Sequence, residues 1–295
     1  TVPRLFNPED EPLLHMSPKD MKPLGLKSGD LARIRSPRGS MVVRVAGDGG
    51  FRGRVWLPMH WGNRFMNGAG ANAFTPGACD PYSAQPELKH APVAVEAVDL
   101  SWPLVVIRRA DESLPMAELM QCARSLLPRF DYAVATPGGR AGQYLLFRAA
   151  CAEALPLETL NEIDALFGLD GEQGLITYAD LGRSIHKRVR SDQAGFVGVR
   201  LAGEAQAMGW IKEAMAAAGA DASLLRWAVA PVSAPPSAVP ARARVVCKCA
   251  DVTEPQIVAC LNAGESVAGV QERLKCGTYC GSCLPEIKRM AQKAA

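Results

Sequence analysis

No stretch of the sequence approaches the ~18 consecutive apolar residues that a membrane span requires. The charge is close to balanced, with 33 Lys and Arg against 30 Asp and Glu. The first absence excludes a membrane-spanning helix, and the second argues against a nucleic-acid partner, because only +3 remains over the whole chain. Histidine is scarce. His15, His60, His90 and His186 stand apart without metal-ligand spacing, so each reads as packed or solvated. Residues 101–227 hold no phosphate-binding P-loop, no dinucleotide-binding glycine fingerprint and no nucleophile elbow. With 48% hydrophobic and 21% charged residues the chain is neither disordered nor collagen-like. Its 295 residues exceed what one core usually organises, so two or three domains are expected. The chain opens on Thr1 rather than Met, which fits a processed chain or one cut from something longer. A missing signal peptide therefore says little about location.

What the sequence does have is cysteine, unevenly placed. Six of nine (Cys247, Cys249, Cys260, Cys276, Cys280 and Cys283) fall within the last 49 residues. An odd count without regular spacing argues against a disulfide framework and fits a reducing compartment. Cys247-x-Cys249 and Cys280-Gly-Ser-Cys283 form two close pairs that an intervening fold can bring together as four thiolates. Structural zinc sites prefer pairs two to four residues apart, whereas a two-iron cluster can take one pair per iron, so the spacing favours iron-sulfur over zinc. Between the pairs, Thr253 caps a helix with Gln256 at its third position, and Gly264 ends it. A second helix is expected to start at Cys280–Cys283, aiming free N–H groups at the sulfurs. Cys260 falls on the first helix as a core residue. Cys276 is a rival ligand.

The Ala/Pro-rich segment 228–244 reads as a semi-rigid linker between a body and this tail. Within the body, residues 1–100 read as strands at 31–36, 40–46, 54–58 and 92–98. A short helix precedes them, capped by Ser17, begun by Pro18, supported by Asp20 in a capping-box-like pattern and ended by Gly25. A long turn-rich stretch, 60–90, joins the last two strands; loops of that length are usually functional or disordered. Residues 101–227 alternate strands with helical patterns at 116–127, 157–167 and 205–218, an α+β pattern of unassigned role. The basic run Arg183, His186, Lys187, Arg188 and Arg190 reads as a solvated strand face before it reads as a site for an anionic partner.

The stretch VCKCADVTEPQIVACLNAG…LKCGTYCGSCLPEIKRM resembles the bacterioferritin-associated ferredoxin type of 2Fe-2S domain over about fifty residues. That resemblance implies Cys247, Cys249, Cys280 and Cys283 as ligands. All of the formal net charge lies in 241–295, where eight basic residues face five acidic ones. Four thiolates at about −4 around an oxidised core of about +2 would lower that excess from +3 to roughly +1.

Upstream, HMSPKDMKPLGLKSGDLARIRSPRGSMVVRV, RVWLPMHWG and ANAFTPGACDPYSAQPELKHAPVAV resemble, in order, the C-terminal domain of molybdopterin dinucleotide oxidoreductases. The resemblance implies a six-stranded double-psi barrel whose loop 60–89 reaches a molybdopterin guanine dinucleotide. Trp61, Asn72 and Lys89 are the chosen contacts: an indole packs on a flat ring, an amide bonds a base or ribose, and an ammonium meets a pyrophosphate. Taken together, the pieces resemble the C-terminal part of a bacterial assimilatory nitrate reductase catalytic subunit. The expected fold class is multi-domain: the barrel over 1–100, an α+β domain over 101–227, the linker 228–244 and a small helical 2Fe-2S module over 245–295.

The family resemblance further implies a cytoplasmic enzyme. Its 4Fe-4S cluster and molybdenum site lie in upstream catalytic domains that nothing here matches, so no catalytic residue is assigned and the segment alone is expected to be inactive. Electrons from a donor protein (ferredoxin, flavodoxin or an NADH-dependent flavoprotein) would enter at the tail. Two other readings remain: a non-redox binding protein with a structural Zn(Cys)4 tail, which differs in class, and another molybdopterin oxidoreductase such as a formate dehydrogenase, which keeps the redox class and changes the substrate.

Overall fold

A computed structural model describes residues 10–48, 50–87, 90–139, 142–193, 195–216, 222–235 and 244–294. They fall into two compact units, one within 10–236 and one within 237–295.

The first unit opens on a five-stranded sheet. Its elements are β1 (Leu13–Met16), α1 (Pro18–Met21), β2 (Leu31–Ser36), β3 (Gly39–Ala46), β4 (Val55–Trp56) and β5 (Ala94–Ala97), and the strand order is β4-β1-β3-β2-β5. β1 runs parallel to β3, and every other pairing is antiparallel. Strand β1 was not expected, since LLHM is too short to show a period. The strand expected at 54–58 shrinks to two residues. Among the described residues the sheet has five strands, and β4 and β5 do not pair with each other to close it. Ser17 Oγ accepts from the Lys19 N–H at 3.2 Å, and Gly25 ends the helical turn at φ 68°. Asp20, expected to complete a capping box, instead accepts from the Gly53 N–H at 2.8 Å and ties the turn before β4 to α1.

A six-stranded antiparallel sheet follows, built from β6 (Trp102–Arg109), β7 (Tyr132–Gly138), β8 (Tyr144–Cys151), β9 (Leu175–Asp180), β10 (Ile185–Asp192) and β11 (Gly195–Ala202) in the order β7-β8-β6-β11-β10-β9. Helices α2 (Met116–Leu126) and α3 (Leu157–Leu166) cover one face: Leu119, Met120, Leu160 and Ile163 pack on Leu104, Ala133, Leu145 and Phe147. The pleat sends alternate residues the other way. Tyr132, Val134 and Ala150 join the core of the first sheet, with Leu14, Ile34 and Val43. Burial on both faces makes these strands continuous apolar runs, which is why the sequence shows them plainly. Glu11 pins the two sheets together where it is almost fully buried, accepting from Arg44 of β3 at 3.0 Å and from Tyr132 and Arg148. Burial pushes the Tyr132 phenol up to about 12, so it stays a donor.

The basic run is not a solvated face. Lys187 is buried and paired with Glu204. Arg188 reaches Asp164 at 3.0 Å, and Arg190 donates to the Gly168 carbonyl at 2.5 Å, just past the end of α3. The cations of β10 neutralise a buried acid and the negative end of a helix. Only Arg183, in the turn before β10, stands exposed.

Helices α4 (Met208–Ala216) and α5 (Ala222–Leu225) complete the unit. The expected linker begins inside it: Ala228 is fully buried, and Trp210 donates to the Val232 carbonyl at 3.2 Å. Residues 236–243 lie outside the described ones. The second unit has a two-stranded ribbon, β12 (Val245–Cys247) and β13 (Val252–Thr253), and three helices, α6 (Glu254–Asn262), α7 (Val267–Leu274) and α8 (Leu284–Ala294). Ile257, Leu261, Val270 and Ile287 form its core, one or two from each helix.

Candidate metal centre

Short elements bring the tail cysteines together. Cys247 ends β12, and the following turn, with Asp251 at φ 56°, carries Cys249 and reverses the chain into β13. Thr253 and Gln256 form the expected capping box, the Thr253 N–H donating to Gln256 Oε1 at 2.8 Å, so α6 starts at a fixed point. Ser266 caps α7 by accepting from the Gly269 N–H at 3.2 Å, and Lys275 ends it in the left-handed region. The loop 276–283 then returns Cys280 and Cys283 toward the first pair.

The sulfurs meet across the segments. Cys249 Sγ lies 3.3 Å from Cys280 Sγ, and the Cys247 and Cys283 thiols are hydrogen-bonded to each other. One pair is exposed and the other buried. Burial pushes the Cys247 thiol up, but N–H bonds from Gly277 and Ala250, the Cys283 thiol and the Cys249 N–H outweigh it and hold it below the usual thiol range. The Ser282 hydroxyl, 3.2 Å away, and the Ser282 N–H bring Cys280 down to about 7. Cys249 is raised because it donates to Cys280, and Cys283 is raised by burial and by the Cys247 thiol.

The expected donation from a helix start is not what the fold uses. In α8 the Leu284 N–H goes to the Gly281 carbonyl and the Glu286 N–H to the Cys283 carbonyl, while loop residues Ala250, Gly277 and Ser282 supply the sulfurs. The sequence hinted at this only through small residues beside cysteines. A turn free of bulky side chains lets amides approach sulfur.

Two thiolates bound at about 2.3 Å to one tetrahedral metal sit about 3.7 Å apart, so the 3.3 Å pair is close to the spacing for a shared metal. Among the described residues no three ligating side chains converge on a single ion position. Four cysteines set out as two pairs suit a two-iron group, which takes two thiolates per iron. A 2Fe-2S group, if held by these four cysteines, would supply one-electron transfer. Cys260 is a buried core residue, as expected. Cys276 is fully buried, and its thiol donates to the Val270 carbonyl at 3.8 Å, so it faces α7.

The proposed pterin contacts are only partly brought together. Trp61 is half-buried and meets Phe65 edge-on at 6.2 Å. The turn 70–74 lies directly on the Trp61 backbone: a Cβ on Gly70 would fall 1.7 Å from the Trp61 carbonyl oxygen. That contact places Asn72, exposed on the turn, near the indole segment. Lys89 lies outside the described residues.

Comparison with known proteins defines the class. Residues 1–92 match the Molydopterin dinucleotide binding domain, and residues 245–293 match the BFD-like 2Fe-2S binding domain. The chain thus couples molybdopterin oxidoreductase-type cofactor binding to a 2Fe-2S part. Over 98% of its length it is 28% identical to a nitrate reductase of Klebsiella oxytoca, of which it spans 31%. The chain resembles the C-terminal part of a nitrate reductase. Among the described residues no helix is long and apolar enough to cross a membrane.

Proposed function

We propose that this chain is the C-terminal cofactor-binding and electron-entry part of a molybdenum nitrate reductase of the assimilatory, cytoplasmic kind. The carrying observation is the four-cysteine module at the end of a chain whose first 92 residues match a pterin-dinucleotide domain. In this reading Trp61, Asn72 and Lys89 contact a guanine dinucleotide, and the five-stranded sheet is the main part of a double-psi barrel. A ferredoxin, flavodoxin or NADH-dependent flavoprotein reduces the tail, and a 4Fe-4S cluster and molybdenum in upstream domains receive the electrons. Reduction of nitrate to nitrite consumes two electrons and two protons and releases water, so the one-electron tail cycles twice per turnover.

Deleting residues 245–295 from the longer enzyme tests this. Turnover with the protein donor should vanish, while turnover with a small viologen dye persists at near its original rate. Equal loss with both reductants would reject the electron-entry role.

A further inference from the structure

The metal centre has two unlike edges. Cys247 and Cys283 are buried, at 2% and 5% exposure, among Cys260, Cys276, Val252 and Ile287. Cys249 and Cys280 are exposed, and Tyr279, next to Cys280 in the chain, is 72% exposed. Electron transfer needs close approach, so a protein carrier must meet the Cys249–Cys280 edge.

The charges around that edge are sorted. Arg244 is bound to Glu254 and Glu286, and Arg273 to Glu265, so these pairs are spent within the module. Lys248 stands between Cys247 and Cys249, and Lys275 opens the loop that ends in Cys280. Both are exposed, and neither makes an ion pair among the described residues. The Thr278 hydroxyl donates to the Lys275 carbonyl at 2.8 Å, which folds that loop into a tight turn and keeps Lys275 close to Tyr279 and Cys280. Of the acids closest in sequence, Asp251 already has a partner, and Glu272 belongs to α7 rather than to the cysteine loop.

We propose that the face formed by Cys249, Tyr279 and Cys280, flanked by Lys248 and Lys275, is the docking surface for an acidic one-electron carrier protein. This rests on the electron-entry reading above. An exposed aromatic side chain with two exposed lysines in the neighbouring loop segments has the make-up of a transient interface: a small apolar centre for contact and charge for steering. The carrier would lose one electron and the 2Fe-2S group held by the four cysteines would gain it, one ferric iron becoming ferrous, with no covalent bond formed or broken.

The test uses the 295-residue chain loaded with iron and sulfide. Reduction by an acidic flavodoxin hydroquinone and by dithionite is followed in stopped flow at several salt concentrations. Reversing both lysines (Lys248→Glu with Lys275→Glu) should slow the flavodoxin reaction about tenfold or more at low salt and flatten its salt dependence. The dithionite rate should stay within about threefold and the visible spectrum unchanged, consistent with an effect on steering alone. Lys275→Gln, further from the ligands, should give a smaller loss of the same kind, and Lys288→Glu on α8 none. Flavodoxin rates that ignore the lysines and salt would overturn the docking surface while leaving electron entry intact. So would equal slowing with both reductants. A chain that dithionite reduces but no protein carrier does would instead overturn the electron-entry reading.

Discussion

Asp111 shows how a single carboxylate carries pH dependence in this fold. Burial pushes it up, but Arg108 donates to it at 2.7 Å, and the Ser113 hydroxyl and Leu114 N–H add bonds at 2.6 and 3.0 Å. The outcome is a carboxyl held down to about 2. A folded value below the unfolded one means the unfolded chain binds more protons as pH falls. The contribution is therefore complete above about pH 4 and disappears as pH drops through about 2. In urea unfolding, the stability difference between wild type and Asp111→Asn should shrink steadily from pH 5 to pH 2. A difference constant over that range would contradict this assignment. Such ties are poorly legible in sequence. Asp-x-Ser reads as a turn, but nothing local says that Arg108 is almost wholly buried beside it.

At the scale of elements, the tie between α3 and the second sheet is the most exacting. Asp164 has no solvent exposure and receives two parallel bonds from Arg200 of β11, at 3.0 and 2.9 Å, with Arg188 of β10 at 3.0 Å. Removing one member of a buried pair leaves an uncompensated charge. Asp164→Ala should cost about 3–5 kcal/mol, read from the shift in denaturant midpoint, because Arg200 keeps its charge out of water. A loss below about 1 kcal/mol would show that the charge escapes to solvent. The sequence hides these pairings of the basic run because the acid that meets Arg188 lies on a helix more than twenty residues upstream and the one that meets Lys187 lies past the end of β11. By contrast, the strands 102–109, 132–138, 144–151 and 195–202 were legible because their apolar runs are buried on both faces. The strand Leu13–Met16 and the helix Val267–Leu274 were missed; four residues show no period, and the α7 pattern buries only Val270 fully. In the metal centre the ligand spacing was visible, yet the cross-segment pairing and the loop donors needed the fold.

The whole molecule combines a sheet-rich unit with a pterin-dinucleotide match and a module whose four cysteines are arranged as two pairs, one buried and one open. The chain spans 31% of the nitrate reductase it resembles, and the match to a 2Fe-2S binding domain lies wholly within it. That makes the metal content the most direct test. Purified without oxygen, the chain should be brown and contain two irons and two sulfides, with visible bands that bleach on uptake of one electron. Cys249→Ser and Cys280→Ser should lose most of that colour, and Cys276→Ala should keep it. A colourless protein holding one zinc per chain would contradict the account.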